Sequence, residues 1–303
     1  MTGVRRFACT LCGKCCNRSP EVELSEAAGL ADLFVFRLMF RLYSLPRFAQ
    51  RGSPGGSELF YEKKRMLDAH AARKYSIRVM RGGKRVDTVR YLMISALALD
   101  TSPGSCAALK SSRCSIHDRR PLSCRTVPLH YSRIEGLALH DFEAFIAIED
   151  HTCDTSEGAA PILQDGRIVA PEILQARANA LALARRDRSW KEAIVRRMNA
   201  RCSGDHGLPS FADVEANSPS AALTSSMLVG WEIAAAAGLM TKEEVRALAQ
   251  LQLERIELEL GHCCSMAEDA RTLREMRVDY RRALNSDAGP SFCRAISSAA
   301  SAS

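Results

Sequence analysis

The chain has 303 residues, 47% hydrophobic and 25% charged, the balance of an ordinary globular protein with room for one large domain or two modest ones. Its 42 Lys and Arg against 35 Asp and Glu give a formal charge of +7, diffuse rather than blocked into a tail, so nucleic-acid binding is not indicated. The longest apolar stretch, residues 30–48, is broken by Asp32, Arg37, Arg41, Pro46 and Arg47, which argues against a membrane span.

Residues 1 to about 20 are turn-like and dense in cysteine. The opening stretch from Met1 to Cys9 has no apolar signal core, so the expected compartment is the cytoplasm, where thiols persist as thiols. Ser25 and Glu26 then open a pattern in which Leu30, Leu33, Phe34, Leu38 and Leu42 share one face of a predicted helix. Residues 52–57 form a Gly/Ser/Pro loop, which follows no predicted strand and so makes a poor phosphate cradle. From Tyr75, Ile77 and Val79, then Gly82-Gly83, then Val86 and Val89 predict two short strands about a tight turn.

A loop-rich stretch follows with Cys106, Cys114 and Cys124 among Pro103, Gly104, Pro121 and Pro128. Its order needs an agent other than an apolar core, and a bound metal supplies one. Phe142, Phe145, Ile146 and Ile148 predict a last strand that leads to Cys153. Pro171 to Ala200 reads as helix, with an Ala/Leu face and a solvated Arg face containing Arg185, Arg186, Arg188, Arg196 and Arg197. Residues 204–219 read as a linker and Thr224 to Met240 as a small-residue helix. Thr241-Lys242-Glu243-Glu244 forms a capping box that opens a helix toward Gly261. Residues 286–303 are Ser/Ala-rich and expected to be disordered.

Twelve cysteines in a chain of this kind favour chelation over a disulfide framework. Cys9, Cys12, Cys15 and Cys16 place four thiols within eight residues, and Gly13 permits the backbone turn that lets sulfurs converge. Lys14, Arg5, Arg6 and Arg18 are expected to lower thiolate pKa values and to offset the charge of a thiolate-bound centre. The first three cysteines match the opening of a bacterial ferredoxin run, but Ser19 stands where its fourth would be. A single tetrahedral zinc could take two of these thiols and two from Cys106, Cys114 or Cys124. Spacing alone leaves iron and zinc open.

Outside these segments, Cys202, Cys263, Cys264 and Cys293 read as small buried or incidental residues, with His262-Cys263-Cys264 the one group worth testing as a second site. His70, His130, His140 and His151 read as surface or core residues. Pro121 is expected to stiffen the turn that delivers Cys124, and Arg125 to donate either to cluster sulfur or to the surrounding fold.

The segment from Phe7 to Cys16, Phe-Ala-Cys-Thr-Leu-Cys-Gly-Lys-Cys-Cys, joins Cys106-Ala-Ala-Leu and the run from Cys114 through Arg119, Arg120, Pro121 and Cys124 to Pro128. Together these resemble the YkgJ-type cysteine-cluster family, also called the CxxCxxCC zinc- or iron-chelating domain, over roughly residues 5 to 160. The resemblance implies an eight-thiol metal set: Cys9, Cys12, Cys15, Cys16, Cys106, Cys114, Cys124 and Cys153. His117 stands where the family often has Tyr, a position that is not a cysteine ligand. Relatives in the superfamily include flagellin lysine N-methylases, so the resemblance also allows an S-adenosylmethionine-linked protein lysine methylation. No glycine-rich strand-to-helix loop with a downstream acid supports the transferase step.

The fold expected is an α-dominated α+β protein. A cysteine-cluster metal-binding domain with a small β element spans residues 1–165, a helical C-terminal region spans 166–285, and 286–303 is the disordered tail. The function expected is a cytoplasmic iron–sulfur (or zinc) protein with a protein partner or substrate. Its rivals are the lysine N-methylase and a zinc-stabilised interaction module without catalysis.

Overall fold

The computed structural model describes residues 3–16, 19–44, 80–81, 84–85, 90–99, 105–131, 133–148, 151–200, 207–217, 222–262 and 267–285. In chain order the first half contains β1 (Val4–Arg6), β2 (Glu21–Val22), α1 (Leu24–Ala28), β3 (Phe36–Ser44), β4 (Met80–Arg81), β5 (Lys84–Arg85) and β6 (Arg90–Ala98). Then come β7 (Leu109–Lys110), β8 (Arg113–Cys114), α2 (Leu122–Arg125), α3 (Ala138–Ile146), β9 (Pro161–Gln164) and β10 (Arg167–Ile168). The remainder is mostly helical: α4 (Pro171–Arg186), α5 (Arg188–Asn199), α6 (Phe211–Asn217), β11 (Leu223–Ser226), α7 (Met227–Ala236), α8 (Lys242–His262) and α9 (Ala267–Asn285). Helix-rich with several small sheets, this is an α+β fold.

The main sheet has the order β11-β3-β6-β2, with every neighbouring pair antiparallel. Its centre is the nine-residue pairing of β3 with β6, which runs from Phe36 opposite Ala98 to Ser44 opposite Arg90. The predicted long helix through Leu38 and Leu42 is therefore corrected: the helix ends at Ala28 and the apolar residues that follow belong to a strand. Phe36, Leu38, Phe40 and Leu42 alternate with Arg37, Met39 and Arg41, which is period two as well as an approximate helical face. The aromatic and β6-facing positions decide for the strand, because Phe36, Leu38, Phe40, Leu92 and Ile94 are all wholly buried. Each such side chain contributes roughly 1.5–3 kcal/mol by leaving water.

Helices α5, α7, α8 and α9 cover this sheet, and Trp190, Trp231, Ile256, Leu273 and Tyr280 join its core. Gln252 on α8 fastens the entry to β3: its amide nitrogen donates to the carbonyls of Ala31 and Phe34, and its oxygen accepts the Phe36 N–H at 2.8 Å. The Thr241–Glu244 capping box is present, each side chain accepting the other residue's backbone N–H at 3.1 and 2.7 Å.

A second core gathers Phe7, Leu129, Phe142, Ile162, Leu163, Ile168 and Ile173 beside the β1-β9-β10 sheet. The strand predicted at Phe142 to Ile148 is helix α3 instead. Ala138, Phe142, Phe145 and Ile146 are spaced at three and four residues, so one helical face meets β10 and Phe7. Pro171 to Ala200 is helical as predicted but breaks at Asp187 into α4 and α5, with Pro171 at the first turn, where its missing N–H costs nothing. The expected linker at 204–219 holds α6, and the helix expected from Thr224 is preceded by strand β11. Of the strands predicted around Gly82-Gly83, β4 and β5 pair as a two-stranded sheet, while Ile77, Val79, Val86 and Val89 lie outside the described residues. The loop at 52–57 and the tail at 286–303 also lie outside them.

Candidate metal centre

The cysteine segments lie between the two cores. β1 enters the second core, and past Phe7 the backbone of Ala8 exchanges both hydrogen bonds with Asp154, at 2.8 and 3.1 Å. In this antiparallel bridge Cys9 falls opposite Cys153, and the Thr10 hydroxyl donates to the Thr152 carbonyl at 3.1 Å. The chain then turns through Leu11 (φ +59°) and Gly13 (φ +74°). At Gly13 a Cβ would stand 2.7 Å from the Ser112 carbonyl oxygen, so this turn docks on the β7–β8 turn without room for a side chain.

Cys16 ends the knuckle. Its carbonyl accepts the Cys106 N–H at 2.8 Å, the Cys106 carbonyl accepts the Leu109 N–H at 2.9 Å, and Leu109 pairs with Cys114 across the β7–β8 hairpin. The two residues of that turn, Ser111 and Ser112, both have positive φ, the primed geometry that matches strand twist. Cys124 arrives on α2. Pro121 precedes the helix and its carbonyl accepts the Cys124 N–H at 2.9 Å, while the Glu26 carboxylate accepts the Leu122 N–H at 2.7 Å. Arg125 donates to the carbonyls of Arg120 and Asp118 at 2.8 and 2.9 Å, so it shapes the loop before Cys124. Arg119 reaches Asp32 at 3.2 Å.

All eight thiols of the described residues are free of disulfide, with Cys9 exposed and the rest partly buried. They feel one another. Hydrogen bonds from the Thr152 hydroxyl and the Lys14 amide hold Cys12 down at about 7. Cys15 and Cys16 share a hydrogen bond that lowers Cys15 to about 6, helped by the neighbouring His151 and Arg120, and raises Cys16. Burial, with the negative charge of Cys106 and Cys114, pushes Cys124 up to about 12. Burial, with the charge of Cys12, Cys15 and Cys9, pushes Cys153 up to about 11. Such mutual opposition between thiolates is what a bound cation relieves, since ligation requires the deprotonated form. Among the described residues no three Cys, His, Asp or Glu side chains already stand in ligating geometry. The donor set fits a metal by its chemistry, since thiolates are ligands for zinc and for iron–sulfur centres.

The charges beside the thiols differ from those expected. Arg5 is engaged by Glu143 at 3.5 Å and Arg6 by the Ala159 carbonyl at 2.8 Å; Arg18 lies outside the described residues. His151, read from the sequence as a surface or core residue, lies near Cys15, with its ring held by Phe145 through an Nδ1 contact of 3.0 Å to the carbonyl. Its position two residues before Cys153 was the available signal. His117 and His140 are on the surface, and His130 stacks on Tyr131. Cys202, Cys263, Cys264, Cys293 and His70 lie outside the described residues, as does the side chain of His262.

No curated protein and no solved structure matches the chain. Residues 8–154 match a family model, CxxCxxCC, described as a "Putative zinc- or iron-chelating domain". The matched span begins at the Ala8–Asp154 bridge and closes on it, so it encloses all eight thiols. The family of that model is the cysteine-cluster chelating family that the motifs resembled.

Proposed function

We propose that this domain binds iron as an iron–sulfur centre through the thiolates of Cys9, Cys12, Cys15, Cys16, Cys106, Cys114, Cys124 and Cys153. The observation that carries the reading is that three distant segments bring eight disulfide-free thiols to the region where Cys153 meets one core and Cys106 the other. Eight donors exceed the four that a single structural zinc needs, and adjacent Cys15 and Cys16 cannot easily both face one tetrahedral ion without strain, which leaves two metal sites or a multi-iron centre. Arg120 brings positive charge near Cys15, which supports a centre carrying net negative charge. Lys14 and Thr152 hydrogen-bond the Cys12 sulfur, the kind of contact that orients a ligand and adjusts its basicity. When bound, such a centre would supply electron transfer at a potential set by charge, sulfur hydrogen bonds and exposure.

Anaerobic purification of the full chain, followed by iron, acid-labile sulfide and zinc assay, tests the reading. Iron and sulfide in stoichiometric amounts are expected. Zinc alone, with no sulfide after anaerobic reconstitution, would overturn the redox assignment and leave a zinc-stabilised interaction module as the better account.

A further inference from the structure

We propose that the eight cysteines form two separate four-thiol sites that meet only at the Cys15–Cys16 peptide bond. One site is Cys9, Cys12, Cys15 and Cys153; the other is Cys16, Cys106, Cys114 and Cys124. The proposal rests on the chelation reading above and assigns its ligands.

The backbone makes the division. Cys9 and Cys153 occupy facing positions beside the Ala8–Asp154 bridge, where side chains of a pair share one face and Cα atoms are about 4.5 Å apart. Thr152 ties the same strand to the knuckle twice, through its carbonyl to Thr10 and through its hydroxyl to the Cys12 sulfur. On the other side, the chain of bonds from Cys16 to Cys106 to Leu109, and the pairing of Leu109 with Cys114, bring three cysteines around one hairpin. Cys124, on α2, lies near Cys106 and Cys114.

The packing divides the same way. Cys153 rests against the core of Phe7, Phe142 and Ile162, whereas Cys106 and Ile116 rest against the core of the main sheet. Electrostatic neighbours agree: Cys153 responds to Cys9, Cys12 and Cys15, and Cys124 responds to Cys106 and Cys114. Cys16 responds to Cys15 across the junction and to Cys106 and Cys114 on its own side.

Successive residues aim at one tetrahedral ion only with strain, but they can each close a different one. With metal–sulfur bonds of about 2.3 Å on either side of the Cys15–Cys16 thiol contact, the two centres would be neighbours within about 9 Å. The knuckle is then the element that couples occupancy of one site to the geometry of the other.

The test titrates cobalt(II) into the full chain, stripped of metal under reducing anaerobic conditions. Absorbance reports four-thiolate cobalt, and sulfur coordination numbers are read by X-ray absorption. The wild-type chain is expected to take two ions, each with four sulfur ligands. Cys9→Ser combined with Cys153→Ser should keep one tight four-sulfur ion, and so should Cys106→Ser combined with Cys114→Ser. The crossed pair, Cys9→Ser with Cys106→Ser, should keep none. Equal loss in crossed and same-site pairs would overturn the division. Where a double variant fails to fold, the wild-type titration decides alone: saturation at one ion, or sulfur-bridged cobalt, overturns it. A wild-type chain with intact thiols that takes neither cobalt nor zinc, nor iron with sulfide on anaerobic reconstitution, would instead sink chelation itself.

Discussion

Gly13 combines two demands that no other residue meets: a left-handed φ of +74° and a Cβ position 2.7 Å from the Ser112 carbonyl. The backbone preference alone costs an alanine about 1–2 kcal/mol, and the clash adds to it by lifting the knuckle off the hairpin that carries Cys106 and Cys114. Gly13→Ala is expected to lower both the melting temperature and the metal retained after purification. Gly136→Ala, where a Cβ meets nothing within 4 Å, is the control that should change neither. A second residue-scale test concerns Lys191 and Glu23, an ion pair whose side chains are 1% and 3% exposed. Lys191→Met would strand the carboxylate, a loss of about 3–5 kcal/mol. Adding Glu23→Leu should restore most of it in urea titrations, and equal instability of the double variant would show that packing rather than charge is at stake.

At the scale of elements, the entry to β3 depends on one side chain from far along the chain. Gln252 answers two buried carbonyls and one buried N–H between Ala31 and Phe36, and losing several such partners at once costs about 3 kcal/mol. Gln252→Ala should therefore destabilise the chain by that order in chemical denaturation, against about 1 kcal/mol for the exposed cap variant Thr241→Ala. Costs of equal size would mean that the clamp does not order the strand. The same element explains a misreading: residues 30–42 carry apolar side chains at spacings compatible with both helix and strand, and the partners that select the strand are Ala98 to Arg90 and Gln252, all remote in sequence. Helix α3 is the converse, since Phe142, Phe145 and Ile146 satisfy a short strand equally well until Phe7 and Ile168 appear on one side of them.

For the whole molecule, the cysteine segments hold too few apolar residues to order themselves, while the main sheet and its helices have a core of their own. Structural metal contributes on the order of 10 kcal/mol. Stripping the metal with a chelator should open the cysteine segments at 8–16, 105–131 and 151–154 to protease while circular dichroism keeps much of its helix, and an unchanged cleavage pattern in those segments would contradict this. Stability should also depend on pH through Glu232 on α7, whose burial and neighbour Asp279 push its carboxyl up to about 7 from an ordinary 4.5. Below pH 4.5 the group is protonated folded or unfolded and contributes nothing. As pH rises, the unfolded chain ionises first, and the penalty of burying the charge is complete above about 7. Glu232→Gln should thus raise the melting temperature at pH 8 and leave it nearly unchanged at pH 4.5. An equal shift at both values would rule out ionisation as the cause.

The sequence by itself determined the chemistry: eight thiols in a recognisable spacing, Gly13 within the knuckle, Pro121 before Cys124 and the Thr241 cap are all local facts of residue order. Those features act over a few positions, so reading them requires no partner. Only the tertiary structure decided which thiols are neighbours, because the bridge between Ala8 and Asp154 and the bond from Cys106 to Cys16 join residues about ninety or more positions apart. Long-range pairing likewise turned residues 36–44 into the central strand and brought His151 and Arg120, rather than Arg5 and Arg6, to the sulfurs. The physical reason is the same in each case. An apolar or charged side chain declares what it needs, burial or a counter-charge, but the group that satisfies it is chosen by how distant segments close around two cores.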